Sequence, residues 1–352
     1  MTGRREVDID LFAGPGGWDE GVRALGVRPI GYEWAPEPCR TARAAGHERQ
    51  HVDLSTVDPK KAVVSWGDYL RLKIGSPPCE GFSFAGAGRG RDDALLLLAA
   101  LESVRSLRSL VAVMAELRDR MTDPRSILVL EPLRWALATK PQAIAWEQVP
   151  TVLPLWEACA AILQRAGYSV ATGKLHAEQY GVPQARIRAV LVARRDGTEA
   201  RLPVPTHSRY HRQSPTRLDD GVLPWVSMAQ ALGSSWTPVA ANDGTTADDM
   251  AWVGHRPSPT IVGSFSPDVI AAPGYRQAGD GPRQKARGSV RVTLEQAAIL
   301  QSFPANYPWA GSTSAQWRQV GDAVPPLLAR AIVAELLDIP LTPTTPNQEQ
   351  PS

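Results

Sequence analysis

The sequence predicts an α/β fold: a mostly parallel, doubly wound sheet with a smaller loop-rich domain late in the chain. Three observations carry that prediction. Short apolar strands alternate with helical stretches as far as Ala193, the pattern of repeated βα units. The reactive and polar residues cluster where those strands end, which is where doubly wound sheets hold their ligands. From Arg195 to about Ser289, proline, glycine, serine and threonine rise, helical periodicity fades, and Trp225, Trp236 and Trp252 stand apart.

Residues 7–12 read as a strand running into Ala13-Gly14-Pro15-Gly16-Gly17, with a helical stretch at 18–25. Strand, glycine turn and helix let a backbone approach a nucleotide-like ligand, and the same pattern also serves as a plain βα turn. A second strand at 29–32 ends at Glu33 and Trp34. An acid one βα unit beyond a glycine turn is the usual partner of a ribose diol. A third short strand, 51–54, brings Asp53 and Leu54. Glu33, Trp34 and Asp53 outline an adenosine pocket, or the two acids sit on a solvated loop or at a helix N-cap.

Residues 69–74 form a strand leading into Gly75-Ser76-Pro77-Pro78-Cys79-Glu80-Gly81-Phe82-Ser83. Prolines fix φ and remove backbone donors, so Cys79 belongs on a stiff turn at a strand end. It reads as a nucleophile, or as the small buried apolar residue that most lone cysteines are. Residues 84–93 are glycine-rich and charged, with Arg89 and Arg91, and read as a mobile lid or a linker. One or two amphipathic helices are expected over 94–121, with Arg105, Arg108, Arg118 and Arg120 facing out. Residues 125–132 suit either a strand or a helix.

A buried strand at 143–146 ends in Glu147-Gln148-Val149-Pro150, a second polar motif pinned by a proline. A helix at 155–166, a strand at 168–175 and a turn-then-strand at 180–193 follow. Alternation would put Arg186 and Arg188 on one face and Ile187 on the other. Two arginines in an apolar strand need anionic or acceptor partners, in a site or at a salt-bridged edge. Further on, 260–262 reads as a short strand. Residues 276–291 set Arg276, Arg283, Lys285, Arg287 and Arg291 against Asp280, suiting phosphate contacts or a solvated loop. A threonine opens a helix at 293–301, and 321–326 reads as a rigid turn before a last helix at 327–337. From Ile339 onward, proline, threonine and glutamine predict a disordered tail.

The chain's 352 residues suffice for one large and one smaller domain. A formal charge of +2 places any basic surface locally. Cys39, Cys79 and Cys159 form no C-x-x-C pair, against a disulfide framework or a zinc site and in favour of a reducing compartment. The polar start has no signal-peptide pattern, and the longest apolar run, 94–101, is too short for a bilayer. A cytoplasmic protein without metal is expected.

In this order the motifs resemble those of the DNA cytosine-5 methyltransferase family. Phe12 to Gly17 is similar to its first motif, Gly75 to Ser83 to its Pro-Cys motif, and Glu147-Gln148-Val149 to its Glu-Asn-Val motif. Gln184-x-Arg186-x-Arg188 is similar to its Gln-x-Arg-x-Arg motif, and 291–304 and 321–326 to its ninth and tenth. Three positions depart: Gln148 and Asp322 replace asparagines, and Glu80 replaces a glutamine. The resemblance implies a Rossmann-like methyltransferase sheet with a target-recognition domain. It divides the chain into a catalytic domain at 1–194, recognition at 195–289, a return to the catalytic domain at 290–338, and a tail at 339–352.

The cofactor implied is S-adenosyl-L-methionine, at Phe12, Ala13, Gly14, Gly16, Gly17, Glu33, Trp34, Asp53, Leu54, Pro78, Asp322, Ala323 and Val324. Cys79 is implied as nucleophile toward carbon 6 of a flipped cytosine, Glu147 at N3, and Arg186 or Arg188 at the O2 edge. The implied partner is double-stranded DNA, contacted through Ser83, Arg89, Arg91, Gln184, Arg283, Lys285 and Arg287. A monomer is expected, with room for a cognate restriction endonuclease acting separately. Three alternatives stand beside this reading: a tRNA cytosine-5 methyltransferase, a catalytically impaired DNA-binding relative, and a nucleotide-binding oxidoreductase prompted by the glycine turn.

Overall fold

The computed structural model describes residues 5–78, 82, 90–233, 236–240, 254–263, 269–270 and 290–341, with backbone alone for 90–91 and 269–270. The chain divides into two compact units: Met1–Leu175, Ile187–Pro203 and Ile332–Pro340; and His176–Arg186, Val204–Ala331 and Leu341–Ser352. Residues 290–331 thus group with the loop-rich segment rather than with the sheet.

In the first unit the strands are β1 (Glu6–Leu11), β2 (Ile30–Glu33), β3 (Arg49–His51), β4 (Tyr69–Gly75), β5 (Ala143–Gln148) and β6 (Ser169–His176). After the two-residue β7 (Gln184–Ala185) of the second unit comes β8 (Ile187–Arg194). The seven-stranded sheet runs β3-β2-β1-β4-β5-β8-β6. β3, β2, β1, β4 and β5 are mutually parallel, and β8 runs antiparallel to β5. Leu11 pairs with both Tyr32 and Gly75, and Gly75 with Trp146, so these strands end together at one rim. β5 is buried along its whole length, and its Ala-Ile-Ala-Trp run has the continuous apolar character of a central strand.

Helices α1 (Gly17–Arg23), α2 (Pro36–Ala44), α3 (Pro59–Trp66), α4 (Gly90–Leu101), α5 (Leu107–Arg118), α6 (Glu131–Thr139) and α7 (Leu153–Arg165) join them. Asp58 caps α3 by accepting from the amides of Lys60 and Lys61, with Pro59 at its first turn. Ser106 and Ser109 form a reciprocal capping box that splits 94–121 into α4 and α5. The uncertain stretch at 125–132 is a 3-10 turn, Ser126–Leu130, continuing into α6. Strand β3 ends three residues earlier than expected, because Asp53 caps a 3-10 turn at Leu54–Thr56.

Two apolar clusters build the core. One gathers Val7, Ile9, Leu11, Tyr32, Leu70 and Trp135; the other gathers Leu97, Leu130, Ile144, Trp146, Trp156 and Leu191. Trp146 and Trp156 pack with ring centroids 5.3 Å apart, a geometry worth about 1 kcal/mol beyond the area they bury.

The second unit has short strands: β9 (Val239–Ala240), β10 (Ser258–Pro259), β11 (Val269–Ile270) and β12 (Val290–Arg291). β10 pairs in parallel with β7, so the strand expected at 260–262 lies just before it. β12 lies antiparallel between β11 and β9. Helices α8 (Met228–Leu232), α9 (Leu294–Leu300) and α10 (Thr313–Asp322) follow, and α11 (Pro326–Leu336) comes last. Gly321 and Asp322 close α10, where a turn was expected. Among the described residues, no helix is long and apolar enough to cross a membrane.

Candidate active site

At the ends of β1 and β2 the chain takes conformations that its glycines permit. Phe12, Gly14 and Gly16 all have positive φ, with Gly16 at 110° as the N-cap of α1, where a side chain would be strained. Glu33, at the end of β2, holds this loop. Its Oε2 accepts from the Gly14 amide at 3.0 Å, and Oε1 accepts from the amides of Trp34 and Ala35 at 2.9 and 2.8 Å. Trp34 follows with 72% of its surface exposed, an uncovered ring beside an anchored carboxylate. Asp53 is also exposed, and its Oδ1 accepts from the Ser55 amide. An exposed indole and two carboxylates at neighbouring strand ends suit a nucleoside group: the ring offers a stacking face and the acids accept from hydroxyl or amino groups. Ala13 is buried, and the Leu54 side chain belongs to the core, so only its backbone can face a ligand.

Further along the rim, β4 ends in Ser76, Pro77 and Pro78. Ser76 accepts from the Trp18 indole at 2.8 Å, tying this turn to α1. Gln148, at the end of β5, donates from Nε2 to the Pro77 carbonyl at 2.6 Å, and its Oε1 accepts from the Val149 amide. The extra methylene relative to asparagine therefore reaches the Pro-Cys turn and braces it. The Thr151 hydroxyl donates to the Phe82 carbonyl at 2.7 Å, a second tie to the same segment. Glu147 is buried and meets Arg188 Nε at 2.6 Å, with the two side chains 6% and 11% exposed. Antiparallel pairing of Gln148 with Ala189 brings Arg188 to this end of β5. Here are a shielded carboxylate, a guanidinium orienting it, and a proline turn held in place.

Arg186 belongs to the second unit and does something else. Its guanidinium donates to the carbonyls of Ile261, Gly321 and Ala323 at 3.0, 2.7 and 3.3 Å, fully buried. The expected sharing of one strand face with Arg188 fails because the chain breaks between β7 and β8. Gln184, expected at DNA, is likewise fully buried. Its Oε1 accepts from the Ile261 amide, and its Nε2 donates to the Leu300 carbonyl and to Gln301. Gln301 in turn donates to the carbonyls of Val320 and Ala323 at 3.1 and 2.8 Å. This network fixes the turn at Asp322, Ala323 and Val324, of which Asp322 is exposed and the other two buried. Cys79, Ser83, Arg89, Arg283, Lys285 and Arg287 lie outside the described residues, and Arg91 is described in its backbone alone.

Sequence reasoning missed Gln301, Asp19 and Arg49. The signals for the last two were a buried-face acid in the first turn of α1 and an arginine opening a short strand. Arg49 Nη2 lies 2.7 Å from Asp19 Oδ2, both buried.

A seven-stranded sheet of this order, with its functional groups on the strand-end rim, is a Rossmann-like methyltransferase fold. Solved structures share it. The Entamoeba histolytica methyltransferase EhMeth matches with a TM-score of 0.58 at 15% identity, over 96% of this chain and 99% of that one. A Spodoptera frugiperda DNMT2 mutant matches with a TM-score of 0.59 at 13% identity, over 95% and 99%. The chain belongs to the C-5 cytosine-specific DNA methylase family, whose profile matches residues 7–108, 114–223 and 254–338. Among characterised relatives, the Type II methyltransferase M1.HphI of Haemophilus parahaemolyticus is 29% identical over 94% of this chain and 86% of its own length. The Type II methyltransferase M.HgiDI of Herpetosiphon aurantiacus is 26% identical over 93% of each. The protein is thus an enzyme, a DNA cytosine-5 methyltransferase.

Proposed function

We propose that the enzyme methylates C5 of a cytosine flipped out of a specific double-stranded DNA sequence, using S-adenosyl-L-methionine and a transient bond from Cys79 to C6. The observation that carries this reading is the Glu147–Arg188 pair standing beside the Pro77 carbonyl that Gln148 braces. Carbon 5 of cytosine is a weak nucleophile. Adding a thiolate to C6 turns the ring into an enamine that attacks through C5, a covalent route that splits one hard step into easier ones. As negative charge arrives, Glu147 holds a proton at N3, and Arg188 orients Glu147 and faces the O2 edge. A base then removes the C5 proton, and the C6–sulfur bond breaks to free Cys79.

The other two cysteines are unsuited to the role. Burial pushes Cys159 up to about 12 and Cys39 up to about 11, so neither forms a thiolate near neutrality. S-adenosyl-L-methionine supplies a methyl group on a positively charged sulfur. Glu33 would take the ribose hydroxyls, Trp34 would stack on the base, and Asp53 would accept from its amino group. Phe12, Ala13, Gly14, Gly16, Gly17, Leu54 and Pro78 would line the cofactor through loop and backbone. Asp322, Ala323 and Val324 are assigned to it by motif alone. A stacked, paired cytosine cannot reach a protein pocket, so extrusion at a cost of a few kcal/mol is part of the proposal. Ser83, Arg89 and Arg91 would contact the flipped strand, and Arg283, Lys285 and Arg287 its phosphates.

The family profile is that of a DNA methylase, and the relatives are named Type II methyltransferases, which favours DNA over tRNA and a role paired with a separate endonuclease. The test is an oligonucleotide carrying 5-fluorocytosine at the site methylated in cells expressing the protein. The wild type should form a denaturation-resistant adduct, because fluorine blocks loss from C5, and Cys79→Ser should form none. Turnover by Cys79→Ser would refute the covalent route.

A further inference from the structure

We infer that the buried Arg49–Asp19 pair is the positioning device of the cofactor loop, and that residue 31 is glycine to admit it. The inference rests on the reading that the loop from Phe12 to Gly17 holds the cofactor. Arg49 opens β3, yet its guanidinium lies back over β2 and reaches the loop at the end of β1. Nε donates to the Gly14 carbonyl and Nη2 to the Ala13 carbonyl, each at 3.3 Å. Asp19, in the first turn of α1, takes both ends of the fork, Nη1 at 3.0 Å and Nη2 at 2.7 Å. Nη1 also donates to the Glu48 carbonyl at 2.9 Å. One rigid side chain therefore joins the loop, the helix that follows it and the third strand. A planar fork of this kind fixes direction as well as distance, which an ammonium cannot do.

The sheet is shaped to allow it. Asp10, Gly31 and Arg49 are cross-strand neighbours in one row over β1, β2 and β3. A Cβ on Gly31 would stand 2.1 Å from Arg49 Nη1 and 2.6 Å from its Cζ. Any larger residue there expels the guanidinium. Asp10, at the other end of the row, is fully buried with no hydrogen-bond partner among the described residues. Burial and then the Asp19 charge push its carboxyl up, while Arg49 pulls it down. Arg49 is thus a cation set among Asp10, Asp19 and the loop that Glu33 also holds through the Gly14 amide.

The carbonyls of Ala13 and Gly14 cannot be turned toward Arg49 without aiming the adjoining amides of the loop. A loop freed from Arg49 would still be tied by Glu33 but could rotate about that tie. The prediction concerns affinity for the cofactor rather than chemistry after it binds. Arg49→Lys keeps the charge and one bond to Asp19 but loses the fork. Gly31→Ala keeps both charges and evicts the guanidinium, and its Cβ would also stand 2.8 Å from the Ala13 Cβ, so a weakened Gly31→Ala supports the inference only together with a weakened Arg49→Lys.

The experiment is calorimetric titration with S-adenosylhomocysteine of the wild type and both variants. Melting of each unliganded protein and DNA retention in gels serve as controls for folding. Each variant should bind S-adenosylhomocysteine about tenfold more weakly, the loss expected for charge-assisted hydrogen bonds. In steady state, KM for the methyl donor should rise by more than kcat falls. If folded Arg49→Lys binds as tightly as wild type, charge alone suffices and the inference is overturned. If Arg49→Lys fails to fold, wild-type affinity in Gly31→Ala overturns it equally. A wild type that binds no S-adenosylhomocysteine overturns the cofactor reading itself.

Discussion

Two arginines separated by one residue hold different partners, and in the proposed mechanism one serves the fold and the other the chemistry. At Arg186 the guanidinium meets three backbone carbonyls, and at Arg188 it meets the Glu147 carboxylate. A buried carbonyl that loses its donor is stranded, so losing Arg186 strands those of Ile261 and Gly321, while Ala323 keeps its bond from Gln301. Arg186→Met should lower stability by about 3 kcal/mol in urea titration. Arg188 stands at the rim, where water can reach Glu147 in its absence. Arg188→Met should shift the urea midpoint far less but cut turnover by about 100-fold, because Glu147 loses its orientation. The opposite ranking of the two variants would refute the division. From sequence the two positions look equivalent, since alternation in one strand would set them side by side. What separates them is the break between β7 and β8, which no residue type in Gln-Ala-Arg-Ile-Arg announces. Gln148 shows the same limit in the other direction: whether one more methylene reaches a carbonyl is a matter of ångströms, and the structure shows that it does.

Strand β4 carries a feature that its role in the sheet does not require. Lys73 is fully buried, its Nζ lacks a hydrogen-bond partner among the described residues, and it sits 4.6 Å from the centroid of the Trp146 ring. Burial lowers its pKa well below the usual lysine range, with Asp10 and Glu131 opposing. The unfolded chain keeps the proton to near the ordinary value of 10.5, while the folded chain gives it up earlier. Between those limits the unfolded state binds more protons, so stability rises with pH. Lys73→Met should therefore stabilise the protein at pH 7 by on the order of 1 to 3 kcal/mol. The gain should shrink as the pH approaches 10. Denaturant midpoints at both pH values test this, and a gain that grows with pH would refute it. The elements themselves were legible to different degrees. β1, β2, β4 and β5 are short apolar runs ended by Gly, Pro or an acid, and they stand within a residue or two of expectation. α2 and α3 escaped notice because both are short and start at prolines, which mark a helix start only when read with a preceding cap such as Asp58. Residues 127–130 are continuously apolar, so periodicity could not distinguish strand from helix, and packing wound them into a 3-10 turn.

Across the whole molecule, the motifs were legible in order, while the compact units follow other lines than composition does. Composition separates 195–289 from 290–338, whereas the second unit runs continuously from Val204 to Ala331 and also takes His176–Arg186. The reason is a network of long-range bonds that composition cannot show. Ser258 pairs with Gln184, the Ile261 amide donates to the Gln184 side chain, and the Ile261 carbonyl accepts from Arg186. Gly263 lies so close to α10 that a Cβ would stand 2.6 Å from the Arg318 Cα. Residues 254–263 therefore belong to the frame, although they lie inside the segment expected to read DNA. This bears on how recognition can be transplanted. Exchanging all of 195–289 for a relative's segment replaces the stretch that sets Ile261 against Gln184 and Arg186 and Gly263 against Gly321, and misfolded protein is the expected product. Exchanging 234–253 and 264–289 while keeping 254–263 preserves every one of those bonds. Such chimeras should be soluble, should bind S-adenosylhomocysteine like the parent, and should methylate the donor's target sequence. Single-molecule or bisulfite sequencing of DNA from cells expressing each chimera reads the site directly. If the frame-preserving chimera still methylates the parent's site, recognition lies elsewhere in the chain. If the full exchange folds as well as the frame-preserving one, the buried network is not what holds this unit together.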